Sequence, residues 1–209
     1  MRYLLSIIVL LSLGSCRYGD AEVIDINGMP IHSELVGEFT QVLGRPYELF
    51  IRRNWISDAA AGGPGMSYTD TVRNGIVFRR VNGTAALQFY NRYKNRSLLK
   101  DKYIFLSNSS YTNSGELAYD IVVIKANNQF QALKLMNTNG LKQEISHAQI
   151  FEFLADLHEK NPIEIYLLEE HRIGIYLERS PDQHTRNELA AISPNYELKG
   201  KTLELYWPG

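Results

Sequence analysis

The sequence predicts an α+β fold with mixed or antiparallel sheets, several hairpins and about four helices, packed as two subdomains. Short alternating apolar segments bounded by turn residues are typical of strands joined in hairpins. Apolar residues spaced three and four apart behind a capping residue are typical of helices. A polar stretch at residues 107–116 separates two differently patterned halves, and we interpret it as a linker.

The N-terminal subdomain is predicted over residues 22–106. Asn27-Gly28 stands between two short alternating segments and predicts a hairpin, because both residues readily adopt a positive φ. A helix is expected to start at a Ser33 cap and to stop at Gly44. Asn82-Gly83 lies between two further apolar segments, and this pattern predicts a second hairpin.

The C-terminal domain is predicted over residues 117–209. Its apolar run at residues 121–124 is continuous, which is typical of a strand covered on both faces. Capping residues at Asn127 or Asn128 and at Ser146 predict the starts of two helices.

The remainder of this domain is predicted to form a hairpin, a helix and a final strand. Residues 163–168 and 173–177 alternate on either side of a polar turn and predict the hairpin. Ser180-Pro181-Asp182 places a capping serine before a proline at the first helical position, which predicts a helix start. Residues 203–207 predict the last strand.

The beginning of the chain has the pattern of a secretory signal. A basic start, a short apolar run and small residues precede Cys16, the only cysteine in the chain. The apolar run would span only about 15 Å as a helix, about half of a bilayer core, which is too short for a transmembrane helix. A buried structural thiol is the other alternative, but no second cysteine exists for a disulfide. Leu13-Gly14-Ser15-Cys16 resembles the lipobox of bacterial lipoproteins.

The lipobox resemblance implies a signal peptide at residues 1–15 and cleavage before Cys16. It also implies a diacylglyceryl group on the Cys16 sulfur, so that fatty acids such as palmitate anchor the protein in a membrane. Residues 16–21 would then form a tether. This places the protein in the bacterial cell envelope. The outer membrane is preferred, because Arg17 stands where some lipoproteins carry the Asp that retains them in the inner membrane.

Residues 117–209 also resemble the bacterial domain-of-unknown-function family 4253. The segments that carry the likeness are Ile121-Val122-Val123-Ile124-Lys125-Ala126-Asn127, Ala132-Leu133 with Thr138-Asn139-Gly140, Leu157-His158 with Pro162-Ile163-Glu164-Ile165, and Leu205-Tyr206-Trp207. The family's Cys-Pro-Asp after the last helix is replaced by Ser193-Pro194-Asn195, and its frequent Trp-Trp-Asp ending by Tyr206-Trp207-Pro208-Gly209. The resemblance therefore implies a type of fold but no reaction.

The sequence predicts no catalytic residue, no metal ligand and no cofactor. His147 and His158 would lie about 16 Å apart along one helix, too far to share a metal whose bonds are about 2 Å long. No Gly-x-Ser-x-Gly esterase motif occurs. Glu169-Glu170-His171 is the densest polar cluster. We expect its side chains to be solvated in a hairpin turn, and an acid/base or metal site is the alternative.

Charge is distributed unevenly along the chain. Residues 79–103 carry seven basic residues against one acidic residue, and residues 152–170 carry six acidic residues against one lysine. Arg92, Lys94 and Arg96, interleaved with tyrosines, form a candidate interaction strip for a protein or an anionic partner. The alternative is that the two segments only solvate the chain or dock against each other. The net charge of −1 differs from the positive net charge that is typical of nucleic-acid-binding proteins.

The sequence therefore favours a membrane-tethered, non-catalytic envelope lipoprotein that acts as a binding or interaction module, with a ligand that the sequence does not identify. The alternative function is an envelope hydrolase that uses the Glu169-Glu170-His171 region.

Overall fold

The computed structural model describes residues 23–26, 29–48, 51–56, 67–72, 75–95, 99–136, 138, 140 and 143–208. Within these residues the chain forms twelve strands and five helices, which confirms the predicted α+β class. The strands are β1 (Val23–Ile26), β2 (Met29–His32), β3 (Tyr47–Glu48), β4 (Ile51–Ile56), β5 (Ser67–Val72), β6 (Gly75–Asn82), β7 (Lys102–Tyr111), β8 (Leu117–Lys125), β9 (Ile163–Leu168), β10 (Arg172–Leu177), β11 (Glu197–Lys199) and β12 (Thr202–Tyr206). The helices are α1 (Ser33–Leu43), α2 (Gly83–Tyr93), α3 (Gln129–Met136), α4 (His147–Lys160) and α5 (Gln183–Ile192).

One eight-stranded sheet organises the described part of the chain, in the order β11-β12-β10-β9-β7-β8-β6-β3. Strands β3, β6, β8 and β7 form an antiparallel N-terminal half-sheet, and β9, β10, β12 and β11 form an antiparallel C-terminal half-sheet. The two halves meet at β7 and β9, which run parallel, with Leu106 opposite Leu167. We call this junction the seam.

Two hydrophobic cores lie on opposite faces of the sheet. The first core contains buried residues from α3, α4 and α5, and the second core contains buried residues from α1 and α2. In β8, Val122 and Ile124 belong to the first core, whereas Ile121 and Val123 belong to the second. The continuous apolar run of this strand is therefore buried on both faces, as predicted.

The C-terminal half-sheet buries one set of alternate residues. The side chains that enter the first core from β10 and β12 are Ile173, Ile175, Leu177, Leu203 and Leu205. Because successive side chains in a strand point to opposite faces, the residues between them face away from this core. The alternating sequence pattern of these strands thus corresponds to burial on one side.

Several local predictions are confirmed. Strands β1 and β2 pair antiparallel with Ile26 opposite Met29. Helix α1 ends at the predicted Gly44, whose φ is +81° and whose N–H donates to the Thr40 carbonyl at 2.9 Å. Helix α4 begins after Ser146 with a capping box that involves Gln149.

The predicted hairpin at Asn82-Gly83 is wrong, because these residues begin helix α2. The Asn82 side chain accepts hydrogen bonds from the N–H groups of Thr84 and Ala85, so it acts as an N-cap. The buried residues that follow, with spacings of three and four that indicate a helix, are Ala86, Phe89, Tyr90 and Tyr93.

The predicted linker at residues 107–116 is also wrong for its first part, since β7 continues to Tyr111 and a short turn leads into β8. The polar residues of this stretch bond within the sheet. Ser107 donates to the Leu168 carbonyl at 2.8 Å, and Asn108 donates to Asp120 at 2.8 Å beside an irregularity in strand register. Strands on both sides of the stretch share one sheet, and the change between half-sheets follows β8.

The last predicted helix starts later than expected. Helix α5 begins at Gln183, and Asp182 is its N-cap, accepting from the Thr185 N–H at 2.8 Å. Ser180-Pro181 therefore lies before the cap.

Candidate functional site

The candidate site is the face of the C-terminal half-sheet that points away from the first core, and we call it the open face. Its residues come from the alternate positions of β10, β12 and β11 that point away from the first core, and all are half-buried or exposed. They are Arg172, Tyr176, Thr202, Glu204, Tyr206, Glu197 and Lys199.

Arg172 is the centre of the polar network on this face. Its Nη2 donates to the Glu204 carboxylate, and its Nη1 donates to the Ser109 Oγ at 3.2 Å. The Ser109 N–H donates in turn to Glu169 at 2.5 Å. Partial burial lowers the pKa of Arg172, but the Glu204 hydrogen bond and the charges of Glu204 and Glu169 outweigh it and leave the pKa raised. The guanidinium is therefore cationic and held in one place.

A cleft of about 470 Å³ lies over this network. Its lining residues come from β7, the β9–β10 turn, the turn after α5 and strands β10, β11 and β12, and they are Ser109, Glu169, Arg172, Asn195, Glu197, Glu204 and Tyr206. Of these residues only Glu169 is predicted from the sequence as a candidate site residue, because the others lie far apart in the chain. Arg172 and Glu204 each lie next to apolar residues that enter the first core. This alternation is the one sequence signal that their side chains point to the opposite face.

Two stacked tyrosines extend the open face towards the seam. The rings of Tyr166 and Tyr176 lie 4.4 Å apart at an interplanar angle of 23°, and the Tyr166 hydroxyl donates to Glu204 at 2.9 Å. Gly174 makes room for this ring, since a Cβ there would lie 2.6 Å from the Tyr166 Cζ. Burial, and then the Glu204 charge, raise the pKa of Tyr166. The face is thus preorganised by contacts within the chain.

The predicted interaction strip is divided by the structure. Lys94 bonds both carboxylate oxygens of Glu164, at 2.7 and 2.9 Å, and Tyr90 donates to the same carboxylate at 2.6 Å. Lys94 is therefore matched by the acidic segment of its own chain, as the docking alternative anticipates. Arg92 is exposed, and Arg96 lies outside the described residues.

The residues of the hydrolase alternative do not converge on one point. Glu169 lines the cleft, whereas the Glu170 side chain is 73% exposed and lies 3.7 Å from His171. In the parts of the chain that the structure describes, no group of three His, Cys, Asp or Glu side chains is placed to hold a metal. His147 and His158 instead bond the backbone of Thr138 and Ile163.

Two residues near the C-terminus, Ser193 and Trp207, join the last helix to the last strand. Ser193 is buried, and its hydroxyl bonds both the N–H and the carbonyl of Tyr206 at 3.1 Å. Trp207 is fully buried and donates from its indole to the Ile192 carbonyl at 2.8 Å. These contacts join the end of β12 to α5.

Cys16, the predicted signal peptide and the predicted tether lie outside the described residues. None of the helices in the described ranges combines the length and apolar character that a membrane span requires.

Comparison of the chain with protein-family models, with curated proteins and with solved structures finds no match. The resemblance to domain-of-unknown-function family 4253 stays a prediction.

Proposed function

We propose that the chain is a lipid-anchored protein of a bacterial envelope that acts by binding a protein partner on its open face rather than by catalysis. The lipobox-like sequence at Cys16 supports the anchor, and Arg17 after it supports a position in the outer membrane. The observation that carries the binding role is the open face itself, where one side of a half-sheet presents ordered tyrosine, arginine and glutamate side chains to solvent.

The chemistry of the open face suits a protein partner. Tyrosine and arginine are the residue types that contribute most often to the energy of protein interfaces. Tyr206 is 44% exposed at the rim of the cleft, so its ring is available for contact. Arg172 and Glu204 already satisfy each other, so a partner that covers them meets few unpaired charges.

The binding role is tested by capture of envelope proteins with the tethered protein and matched tyrosine variants. Tyr206→Ala removes a ring that is 44% exposed on the open face, and Tyr47→Ala removes one that is 48% exposed on the opposite edge strand. We expect Tyr206→Ala to lose a partner that Tyr47→Ala retains, with both variants folded by circular dichroism. Equal retention, or equal loss, would contradict a partner site on the open face.

The anchor is tested separately by fatty-acid labelling and fractionation of the envelope. Wild type should carry the label and fractionate with the outer membrane, and Cys16→Ser should carry none. Label that persists on the serine variant would contradict lipidation of Cys16.

The alternative, an envelope hydrolase that uses Glu169-Glu170-His171, is supported by one observation, the position of Glu169 on the cleft. Its carboxylate is engaged by the Ser109 N–H, and Glu170 is directed to solvent beside His171. Measurement of bound zinc in wild type and His171→Ala separates the two functions. Stoichiometric metal that is lost in the variant would favour the hydrolase.

A further inference from the structure

A cluster of lysines lies at the end of the N-terminal half-sheet, far along β7 and β8 from the open face. Lys102 begins β7 and lies directly opposite Lys125, the last residue of β8. Both face the second core side, because their alternate neighbours Ile104 and Val123 belong to that core. Lys100 precedes them, and we call Lys100, Lys102 and Lys125 the lysine cluster.

The pairing of Lys102 with Lys125 is unfavourable on its own. Like charges directly opposite each other on neighbouring strands destabilise a sheet. None of the ion pairs in the described part of the chain involves a residue of the lysine cluster. Among the described residues, the Lys102 ammonium donates to the Lys100 carbonyl alone, at 3.3 Å. The fold therefore holds these three cations together without an ion pair among the described residues.

A cavity of about 590 Å³ opens beside Lys100 and Lys102, and Lys125 lies across from Lys102 on the neighbouring strand. Its lining residues come from the end of α2 and the turns before β7 and α3, and they are Lys94, Asn95, Leu99, Lys100, Asp101, Lys102 and Asn127. The Ala126 N–H donates to the Asp101 carbonyl at 3.1 Å, which holds the turn with Lys100 and Lys102 against Asn127. Cations and carboxamides thus share one wall.

We propose that the lysine cluster and this cavity bind the phosphate group of an anionic ligand. Lys94 is neutralised by Glu164, so the three clustered lysines and Asp101 leave an excess of two positive charges. A phosphate dianion matches that excess, and lysine ammonium groups bind phosphate as compact point charges. Asn95 and Asn127 add amide donors for further phosphate oxygens. The ligand is a free phosphate compound or an anionic lipid headgroup, which share this chemistry.

Lysine acetylation measured by mass spectrometry tests this site on the full chain in neutral detergent. Inorganic phosphate should slow acetylation of Lys102 and Lys125 about tenfold near saturation, since bound ligand removes the reactive state by mass action. Sodium chloride of equal ionic strength controls for screening. Lys160 and Lys199, which pair with Asp156 and Glu197 at 2.6 Å, should react at unchanged rates.

Reconstitution into vesicles distinguishes the two sources of the phosphate group. Protection by inorganic phosphate, with equal reactivity in phosphatidylcholine vesicles with and without phosphatidic acid, would identify a free phosphate compound. Added protection by phosphatidic acid would identify a headgroup. Absence of protection by either would overturn the proposal, and it would leave the open face and the lipid anchor untouched.

A charge variant gives an independent readout. Lys125→Gln removes the like-charge pair, so it should raise the melting temperature in chloride and abolish the rise that phosphate produces in wild type. Lys160→Gln, at an exposed lysine already paired with Asp156, is the matched control and should retain the phosphate response. A Lys125→Gln protein that melts lower and still responds to phosphate would contradict the site.

Discussion

The two half-sheets are built from similar antiparallel strands, yet they differ in how many of their faces are buried. In the N-terminal half, β8 is covered by helices on both faces and its residues from Ala118 to Ile124 are all buried. In the C-terminal half, β12 alternates between buried leucines and half-buried or exposed polar residues. A strand buried on both faces has no side chain available to a partner. A strand buried on one face leaves every second side chain available. The difference locates the candidate partner site on the C-terminal half.

The seam between the halves relies on polar side chains as well as on strand pairing. Tyr103 donates to the Ile165 carbonyl at 2.6 Å, and Ser107 donates to the Leu168 carbonyl at 2.8 Å. Close by, Glu164 accepts from Tyr90 and Lys94. Each half is held by its own antiparallel ladder, and the parallel pairing of β7 with β9 together with these side chains joins the two halves.

The largest expected contrast is between a core residue of the N-terminal half and a residue of the open face. Phe78 is fully buried in the second core, so Phe78→Ala should lower the free energy of unfolding by about 3–5 kcal/mol. Tyr206→Ala should lower it by less than about 1 kcal/mol, because the ring is 44% exposed. Urea unfolding measures both. Similar losses would contradict the assignment of Tyr206 to an open face.

Alkaline pH should weaken the seam. The pKa values of Tyr90, Tyr103 and Tyr166 are raised above their ordinary 10.0, in each case chiefly by burial and also by nearby Glu164 or Glu204. Well below pH 10 the tyrosines are protonated in both the folded and the unfolded chain, so they do not reduce the free energy of unfolding. Above pH 10 the unfolded chain ionises while the folded chain does not, and the three groups together should cost about 2.5 kcal/mol by about pH 10.5.

This pH dependence is measured by urea unfolding at about pH 8 and about pH 10.5, with tyrosinate absorbance recorded in parallel. Tyr103→Phe should lose less stability over the same interval, since one of the three groups is gone. Ionisation of these tyrosines while the protein stays folded would contradict the prediction.

Removing the two hydroxyl groups that bond across the seam should lower the free energy of unfolding somewhat less than alkaline pH does. Tyr103→Phe with Ser107→Ala should cost about 2 kcal/mol, because each change leaves a strand carbonyl without its donor. Hydrogen exchange should quicken in β9 and β10 more than in β8. Ser110→Ala, the same chemical change at a half-buried position of β7, should leave exchange in β9 unchanged.

The smallest expected effect concerns the helix that covers the N-terminal half. Asn82→Ala removes the side-chain acceptor at the start of α2 and should cost about 1 kcal/mol, measured by thermal melting. Asn82→Ser keeps a capping oxygen and should retain most of the stability. Equal loss in both variants would show that Asn82 acts through Glu116, to which its amide donates at 3.3 Å, rather than as a cap.

Local signals account for the correct predictions and also for the wrong ones. Ser146 with Gln149 specifies a capping box within four residues, so the start of α4 could be predicted. Asn82-Gly83 suits both a hairpin turn and a helix start, and only packing of α2 against β8 selects the helix; a Gly83 side chain would lie 2.9 Å from the Leu117 carbonyl. The polar run from Ser107 was predicted to be a linker from its composition, which does not reveal that Ser107 pairs with β8 and bonds Leu168 of β9.

The sequence by itself determined the end of α1, the start of α4 and the burial of β8 on both faces, because capping and runs of apolar residues act between near neighbours. It also carries the lipobox-like pattern at Cys16, which needs no fold to be recognised. Only the tertiary structure decided that β7 lies beside β9 and that Arg172 meets Ser109, 63 residues earlier in the chain. The order of strands depends on how two cores are filled together, and that is a property of the packed whole rather than of any segment.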